Sequence, residues 1–255
     1  MVIGVIPARF GSSRLLGKPL ANIGGKPMLQ HTFESASKSK FIKKIVIAVD
    51  DERVGDVASK FCNDVVLTPK TIETGSDRIA YVAEKMPEVK IVVNIQGDEP
   101  FINGRMIDEA IEPLLFDKNI RVSTLAKRIV SVEELKSNSI PKLVFDYENF
   151  VLYFSRAPIP YVQGVKSNLD KLGTANIYKH IGLYVFRRNT LLKFTKLGQT
   201  DLEKAEKLEQ LRMLENGIKI KVVVTEFDTL SVDTPDDLER ARRFYNKLLK
   251  IRKLK

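Results

Sequence analysis

The sequence contains little cysteine and little histidine. Cys62 is the single cysteine among 255 residues, so an intramolecular disulfide is excluded. The two histidines, His31 and His180, are too few to build a Cys/His zinc cluster together with that cysteine. Such cysteine usage is typical of a reducing compartment, and we therefore expect a cytoplasmic protein.

Long apolar segments are absent as well. No run approaches the roughly 18–20 apolar residues that a membrane-spanning helix needs. Segment 1–9 has no basic region before its apolar stretch, as a secretory leader would. Membrane insertion and secretion are therefore not expected. With 44% apolar and 29% charged residues, the composition is typical of an ordinary globular protein with a sizeable core.

The net charge of +10 would favour nucleic acid or an anionic membrane as a partner if it were spread over the chain. Eight basic residues and no acidic residue fall within 240–255, which leaves +2 for the rest. We interpret this basic tail as a solvated helix face. The alternative is a different class of protein, one that binds nucleic acid. The sequence has no helix-turn-helix or aromatic-basic signature for such a protein, and the affinity for nucleic acid would fall steeply with salt.

Apolar runs and helical patterns alternate through the first half of the chain. Segments 2–6 and 45–49 are short continuous apolar runs, and segment 91–95 is apolar apart from Asn94. Such segments are typical of strands buried on both faces of a parallel sheet. Helical periodicity lies between them, which predicts βαβ units and a doubly wound, mostly parallel α/β sheet. We interpret the whole chain, 1–255, as one domain.

The second half departs from this alternation. Segments 143–145 and 151–154 are strand-like, and the turn-like residues between them predict an inserted β-hairpin. The stretch 159–175 contains proline, glycine, asparagine and lysine and shows little periodicity, and we interpret it as a mobile loop. Hairpin and loop form a subregion at about 140–180. Further on, Thr234 followed by Pro235 and early acidic residues predicts the start of a last helix.

The first predicted strand is followed by a loop, 7–20, that is rich in glycine and basic residues. In open α/β sheets, ligands bind beyond the carboxyl ends of the strands. Glycines leave backbone N–H groups free to bind an anion, and Arg9, Arg14 and Lys18 supply positive charge, so the loop is predicted to bind phosphate. It does not fit the Walker A pattern, because proline follows Lys18. The alternative is a solvated turn with three surface cations.

Acidic residues follow two further strands. Asp98 comes shortly after the run 91–95, and Asp233 follows the last predicted strand region. Protein-bound Mg²⁺ prefers one or two carboxylates together with substrate phosphates. Each acid alone could instead cap a helix. Two acids at two strand ends, opposite a basic loop, favour a site for Mg²⁺ and a polyphosphate.

Segments spread from the first strand to the last helix share a known pattern. They are Ile6-Pro7-Ala8-Arg9, Gly17-Lys18-Pro19-Leu20, Thr74-Gly75-Ser76-Asp77-Arg78, 94–100, 152–160, 179–184, Leu208-Glu209-Gln210-Leu211-Arg212 and Val232-Asp233-Thr234-Pro235. In these segments the chain resembles the nucleotide-sugar cytidylyltransferases, and most closely those that activate 3-deoxy-manno-octulosonate (Kdo). Leu16 is a departure, since this family commonly has proline there.

The resemblance implies a reaction in which CTP and Kdo give CMP-Kdo and pyrophosphate, with Mg²⁺ required, for lipopolysaccharide synthesis. In such enzymes the anomeric hydroxyl of the sugar attacks the α-phosphorus of CTP and pyrophosphate leaves in line. This chemistry needs positioning and charge neutralisation rather than a covalent nucleophile. The family also implies a homodimer, with the hairpin region as a plausible interface. Another acidic sugar, amino-Kdo or sialic acid, is the alternative substrate.

The resemblance also implies roles for individual residues. Arg9 and Lys18 would hold the triphosphate and stabilise the leaving group, while Asp98 and Asp233 would hold Mg²⁺, and these four are the expected catalytic residues. The residues expected to bind the nucleotide are Ala8, Arg9, Lys18, Ser76, Arg78 and Asp98. Kdo is an acid with many hydroxyls, and the residues expected to bind it are Gln96, Arg156, His180, Tyr184, Glu209 and Gln210.

Overall fold

The structure, a computed structural model, describes residues 1–11 and 15–253, with side chains to residue 251. Arg14 of the predicted phosphate-binding loop lies outside the described residues. The same holds for Lys255 of the basic tail and for the side chains of Arg252 and Lys253. None of the described helices combines the length and the apolar character that a membrane span requires.

Strands and helices follow one another along the whole chain. The strands are β1 (Val2–Ala8), β2 (Asn22–Ile23), β3 (Lys26–Pro27), β4 (Lys44–Val49), β5 (Val65–Leu67), β6 (Ile91–Asn94), β7 (Val122–Arg128), β8 (Lys142–Phe145), β9 (Val151–Ser155), β10 (Tyr178–Arg187) and β11 (Lys221–Val224). The helices are α1 (Met28–Ala36), α2 (Glu52–Ala58), α3 (Gly75–Glu84), α4 (Gly104–Phe116), α5 (Val132–Lys136), α6 (Asn168–Thr174), α7 (Arg188–Phe194), α8 (Asp201–Glu206), α9 (Leu211–Glu215) and α10 (Pro235–Lys253). A short 3₁₀ helix covers Lys18–Leu20.

The chain forms two compact units. The first comprises 1–108 together with 229–255, and the second comprises 109–228. The single domain over 1–255 stays a prediction.

The first unit is built on parallel strand pairs. β1 pairs in parallel with β4 and with β6, and β4 pairs in parallel with β5. Ile3, Val5 and Ile6 of β1 are fully buried, as expected for a strand that neighbouring strands and helices cover on every side. The predicted α/β class with a largely parallel central sheet is confirmed. Because the strands are parallel, their carboxyl ends lie at one edge of the sheet.

The helix α10 packs on this first unit. Thr234 caps it, since the Thr234 hydroxyl accepts a hydrogen bond from the backbone N–H of Asp237 at 3.2 Å. The ring of Tyr245 meets His31 edge-on at a centroid distance of 5.0 Å. The buried residues between α10 and the rest of the unit are Ile23, Met28, Val232, Leu238 and Ala241. The predicted start of the last helix is therefore confirmed.

The basic tail lies on α10. Arg242 donates to the backbone carbonyl of Asn22 at 2.9 Å and pairs with Glu239. Arg243 and Lys247 are exposed. The interpretation of a solvated helix face is confirmed for these exposed residues, whereas Arg242 also links the helix to the strand region of its own unit.

The second unit contains a mixed set of strands. β7 pairs in parallel with β11 and antiparallel with β10, while β8 pairs antiparallel with both β10 and β9. β8 and β9 form the predicted hairpin. The register between β7 and β10 shifts between Ile181 and Tyr184, so Gly182 and Leu183 have no residue opposite them on β7. This irregularity is a β-bulge.

The stretch 159–175, predicted to be a mobile loop, contains the helix α6. The hydroxyl of Ser167 caps this helix by accepting a hydrogen bond from the backbone N–H of Asp170 at 3.0 Å. Leu172 of α6 is buried in a small core with Ile129, Leu135, Val162 and Ile177. The loop prediction was therefore wrong for 168–174. A helix of seven residues with one buried side chain is too short for its hydrophobic periodicity to show.

Candidate active site

Three charged side chains from distant parts of the sequence meet in the first unit. The Nζ atom of Lys18 donates to Oδ2 of Asp98 at 2.6 Å and to Oδ1 of Asp233 at 3.0 Å. The segments that carry the two acids are fastened to each other, because the backbone N–H of Val232 donates to the carbonyl of Asp98 at 3.0 Å. The structure thus brings three of the predicted catalytic residues together.

The position of Lys18 depends on the turn that precedes it. Gly17 has a φ of 68°, a left-handed backbone conformation that favours glycine. Its backbone N–H donates to the carbonyl of Phe10 at 3.1 Å, so a hydrogen bond connects two distant positions of the basic loop. Burial lowers the pKa of Lys18, but the charges and hydrogen bonds of Asp98 and Asp233 outweigh burial and raise it. The ammonium group therefore stays charged.

A second charged cluster is centred on Asp50, which follows β4 directly. Its Oδ1 accepts a hydrogen bond from the backbone N–H of Phe10 at 2.9 Å. Its Oδ2 lies 3.7 Å from Nε of Arg9 and 3.4 Å from Nη2 of Arg78. Arg78 is fully buried, and burial lowers its pKa while the charge of Asp50 opposes that change. Asp50 thus compensates two cations that would otherwise repel each other.

Asp50 is absent from the residues that the sequence singled out. A signal was present, since an acid directly after the apolar run 45–49 repeats the pattern that drew attention to Asp98. Its role depends on Arg9 and Arg78, and the approach of these residues is a tertiary property.

Ser76 and Arg78 lie in the first turns of α3. The hydroxyl of Thr74 caps this helix by accepting from the backbone N–H of Asp77 at 3.0 Å. Ser76 and Arg78 are both buried. These two of the predicted nucleotide-binding residues therefore lie at one capped helix start, and Arg78 connects it to the Asp50 cluster.

Ala8 and Gln96 lie where β1 and the segment after β6 approach each other. Ala8 is the buried last residue of β1, and Gln96 follows β6. The next residue, Gly97, comes so close to β1 that a Cβ atom there would lie 2.7 Å from the carbonyl oxygen of Pro7. Glycine is needed at this position for the two segments to pack.

The other residues predicted to bind the sugar lie in the second unit, and three of them are close together there. The rings of His180 and Tyr184 have centroids 5.2 Å apart. Burial lowers the pKa of His180 to about 3, so the imidazole is neutral. Burial and the nearby charge of Glu209 raise the pKa of Tyr184 well above its usual value, so the phenol is neutral too. The Tyr184 hydroxyl is buried near Thr124 yet makes no hydrogen bond of good geometry with the described residues.

Arg156 is held in place by backbone carbonyl groups. Its guanidinium donates to the carbonyls of Glu206 at 2.6 Å, Asn138 at 2.9 Å and Lys207 at 3.1 Å. Gln210 is buried at the start of α9. Arg156 is therefore a cation of fixed orientation, and its hydrogen bonds are separate from the ring pair of His180 and Tyr184.

The chain is similar to known proteins along most of its length. The family model described as cytidylyltransferase matches residues 3–220. A 3-deoxy-manno-octulosonate cytidylyltransferase from Trichlorobacter lovleyi is 44% identical and covers 94% of this chain and 97% of its own length. The protein of that name from Geobacter metallireducens is 47% identical, over 94% of this chain and 95% of its own. A solved CMP:2-keto-3-deoxy-manno-octonic acid synthetase complexed with CTP is 38% identical, with a TM-score of 0.89, and covers 96% of this chain and 98% of that one.

The chain belongs to the cytidylyltransferases, and within them to the 3-deoxy-manno-octulosonate cytidylyltransferases. The family resemblance noted in the sequence is thereby confirmed. The roles of the individual site residues stay predictions.

We expect the Asp50→Ala variant to lose about 3–5 kcal/mol of the free energy of unfolding, because the buried charge of Arg78 is left uncompensated. Urea unfolding followed by circular dichroism measures this loss. The control is Glu34→Ala, which removes an exposed ion pair with Lys26 and should cost less than about 1 kcal/mol. Equal losses in the two variants would show that Asp50 does not carry the charge balance.

Proposed function

We propose that the protein transfers CMP from CTP to Kdo and releases pyrophosphate. The convergence of Lys18, Asp98 and Asp233 is the observation that carries this proposal, because a polyphosphate substrate needs such a set of charges. Support comes from the likeness to a synthetase solved with CTP and from relatives named for Kdo. The product would serve lipopolysaccharide synthesis in the cytoplasm.

The first unit would bind the nucleotide. Lys18 would bind a phosphate oxygen and stabilise the negative charge that develops on pyrophosphate as it leaves. The side chain of Arg9 is 47% exposed, so it would be accessible to a bound triphosphate. Its ion pair with Asp50 keeps the guanidinium beside the basic loop. Ala8, Ser76 and Arg78 would contact the remainder of the nucleotide. No covalent nucleophile is required, because the sugar hydroxyl itself attacks the α-phosphorus.

Asp98 and Asp233 fit Mg²⁺. This hard cation binds oxygen ligands, usually one or two carboxylates together with substrate phosphates. The described residues include no group of three or more His, Cys, Asp or Glu side chains arranged around a metal site, so substrate phosphates would supply the further ligands. When bound, Mg²⁺ would neutralise phosphate charge and lower the pKa of a coordinated hydroxyl. Lys18 keeps the two carboxylates close together.

The second unit would supply most of the sugar contacts. The fixed guanidinium of Arg156 suits the carboxylate of Kdo. The neutral ring of His180, the phenol of Tyr184 and the amide of Gln210 suit its hydroxyls. Glu209 of the same unit would add a further hydrogen-bonding group. The expected role of Gln96, which lies in the first unit, stays a prediction.

Pyrophosphate release tests the reaction directly. CTP, UTP and ATP are each incubated with Mg²⁺ in the presence and absence of Kdo, and we expect release that requires both CTP and Kdo. Faster release with amino-Kdo or sialic acid would overturn the sugar assignment and keep the reaction type. No release with any pair would overturn the proposed function.

We expect Asp98→Asn and Asp233→Asn to lower kcat/KM by about 100-fold or more, because each removes a charged ligand of Mg²⁺. Pyrophosphate release at a series of Mg²⁺ concentrations measures the loss. Asp236→Asn is the matched control, since Asp236 is an exposed acid in the first turn of α10 and should leave turnover unchanged. Near-normal turnover of both site variants at low Mg²⁺ would contradict the metal assignment.

We also propose that the protein acts as a homodimer through the hairpin of β8 and β9. Two large apolar side chains of this hairpin are exposed, Leu152 at 62% and Tyr147 in its turn. Where exposed apolar side chains form a contiguous patch, they are typical of protein interfaces.

Leu152→Asp is therefore expected to convert a dimer into a monomer, because a charge would have to be buried in the interface. Gel filtration with light scattering at micromolar concentration gives the mass. The control is Phe116→Asp, which changes an exposed aromatic side chain at the end of α4 and should leave the mass unchanged. A monomeric unsubstituted protein would refute the homodimer.

A further inference from the structure

The bulge in β10 gives the second unit an unusual hydrogen-bonding arrangement. Ile181 lies opposite Leu125 of β7, whereas Tyr184 lies opposite Thr124, the preceding residue of β7. The residues between Ile181 and Tyr184 therefore have no residue opposite them on β7. A bulge leaves part of the ladder unpaired and changes the direction of nearby side chains. His180 and Tyr184 flank this bulge.

The side chain of Thr124 lies against the backbone of the bulge. Thr124 is fully buried. Its Oγ1 atom lies 2.9 Å from the carbonyl oxygen of Leu183 and 3.4 Å from that of Ile181. The same atom lies 2.9 Å from Nε2 of His180. One hydroxyl thus meets two carbonyl groups and an imidazole.

The hydroxyl proton can serve one of these contacts well. A threonine hydroxyl carries a single proton, and a carbonyl oxygen can only accept. An O···O distance of 2.9 Å to Leu183 is that of a hydrogen bond, so the proton of Thr124 belongs to this contact. The contact with His180 then needs a proton from the imidazole. His180 therefore carries its proton on Nε2, and the lone pair is on Nδ1.

The ring of His180 is held in this state by its surroundings. Burial lowers the pKa of His180 to about 3, so the ring carries one proton near neutral pH. The Phe154 ring contacts it edge-on at 5.0 Å, and the Tyr184 ring contacts it at 5.2 Å. Part of His180 remains exposed. A ligand that contacts the ring would meet a fixed orientation and a fixed tautomer.

We propose that Thr124 is a positioning residue, which makes His180 a hydrogen-bond acceptor at Nδ1 and so selects a sugar that offers a hydroxyl donor there. The part that concerns the sugar rests on the proposed function, since it assumes that His180 binds Kdo. The tautomer itself rests on Thr124 and the bulge alone. An imidazole with its proton on Nδ1 would select an acceptor instead, so the tautomer decides which substituent is recognised.

The tautomer can be read without substrate. Two-bond ¹H–¹⁵N correlation spectra of the histidine-labelled protein distinguish the two neutral tautomers, and the spectrum of His31→Gln assigns the signal of His180. We expect the Nε2-protonated form at pH 7 in the unsubstituted protein and in Thr124→Ser, which keeps the hydroxyl. Thr124→Val removes the hydroxyl at similar volume and should lose this preference. An Nδ1-protonated or doubly protonated His180 in the unsubstituted protein would overturn the inference.

Kinetics test the consequence for the sugar. We expect Thr124→Val to raise KM for Kdo by about tenfold, the effect of one hydrogen bond, with KM for CTP within about twofold of its original value. Thr124→Ser should restore KM for Kdo. Parallel changes in both KM values, or no rescue by serine, would overturn the positioning role. If Thr124→Val does not fold, the tautomer of the unsubstituted protein and the Thr124→Ser variant decide.

The two proposals fail in different ways. An unsubstituted protein that releases no pyrophosphate from CTP and Kdo would overturn the proposed function and with it the selection of the sugar. A wrong tautomer in a protein that is active with CTP and Kdo would overturn the role of Thr124 and leave the proposed function in place.

Discussion

The parallel pairing of β1 with β4 and β6 is the constraint on which the candidate site depends. Ala8 at the end of β1 lies beside Val49 at the end of β4, and β6 runs in the same direction. Residues that follow parallel strands share one edge of the sheet, however far apart they are in sequence. The basic loop after β1 and the acids after β4 and β6 are neighbours for this reason.

Charge compensation then determines the arrangement at that edge. Lys18 lies between Asp98 and Asp233, and Asp50 lies between Arg9 and Arg78. Groups of like charge can remain close together at a partly buried site only when opposite charges lie between them. A polyphosphate with a divalent cation has the same alternation of charge. The residues that stabilise one another in the protein alone are thus the ones suited to such a substrate.

The ring pair of His180 and Tyr184 in the second unit depends on a different physical principle. Burial keeps the rings of His180 and Tyr184 neutral, so these two side chains offer hydrogen bonds rather than charges. Selection among neutral hydroxyls depends on the direction of hydrogen bonds, and the direction depends on where each proton lies. Thr124 settles this for His180, because its own proton is committed to the carbonyl of Leu183.

Much of this could be predicted from sequence, because continuous apolar runs, turn residues and helix caps are local patterns. They correctly indicated the parallel strands, the hairpin and the start of α10, and the family segments indicated which side chains to examine. The helix 168–174 was missed because one buried residue gives no periodicity, and Asp50 because its partners come from other elements. The sequence by itself determined the order of elements and the chemical types at the strand ends. Only the tertiary structure decided that Lys18 meets two acids and that Thr124 of β7 lies at the bulge of β10, because both depend on the register and packing of segments far apart in the chain.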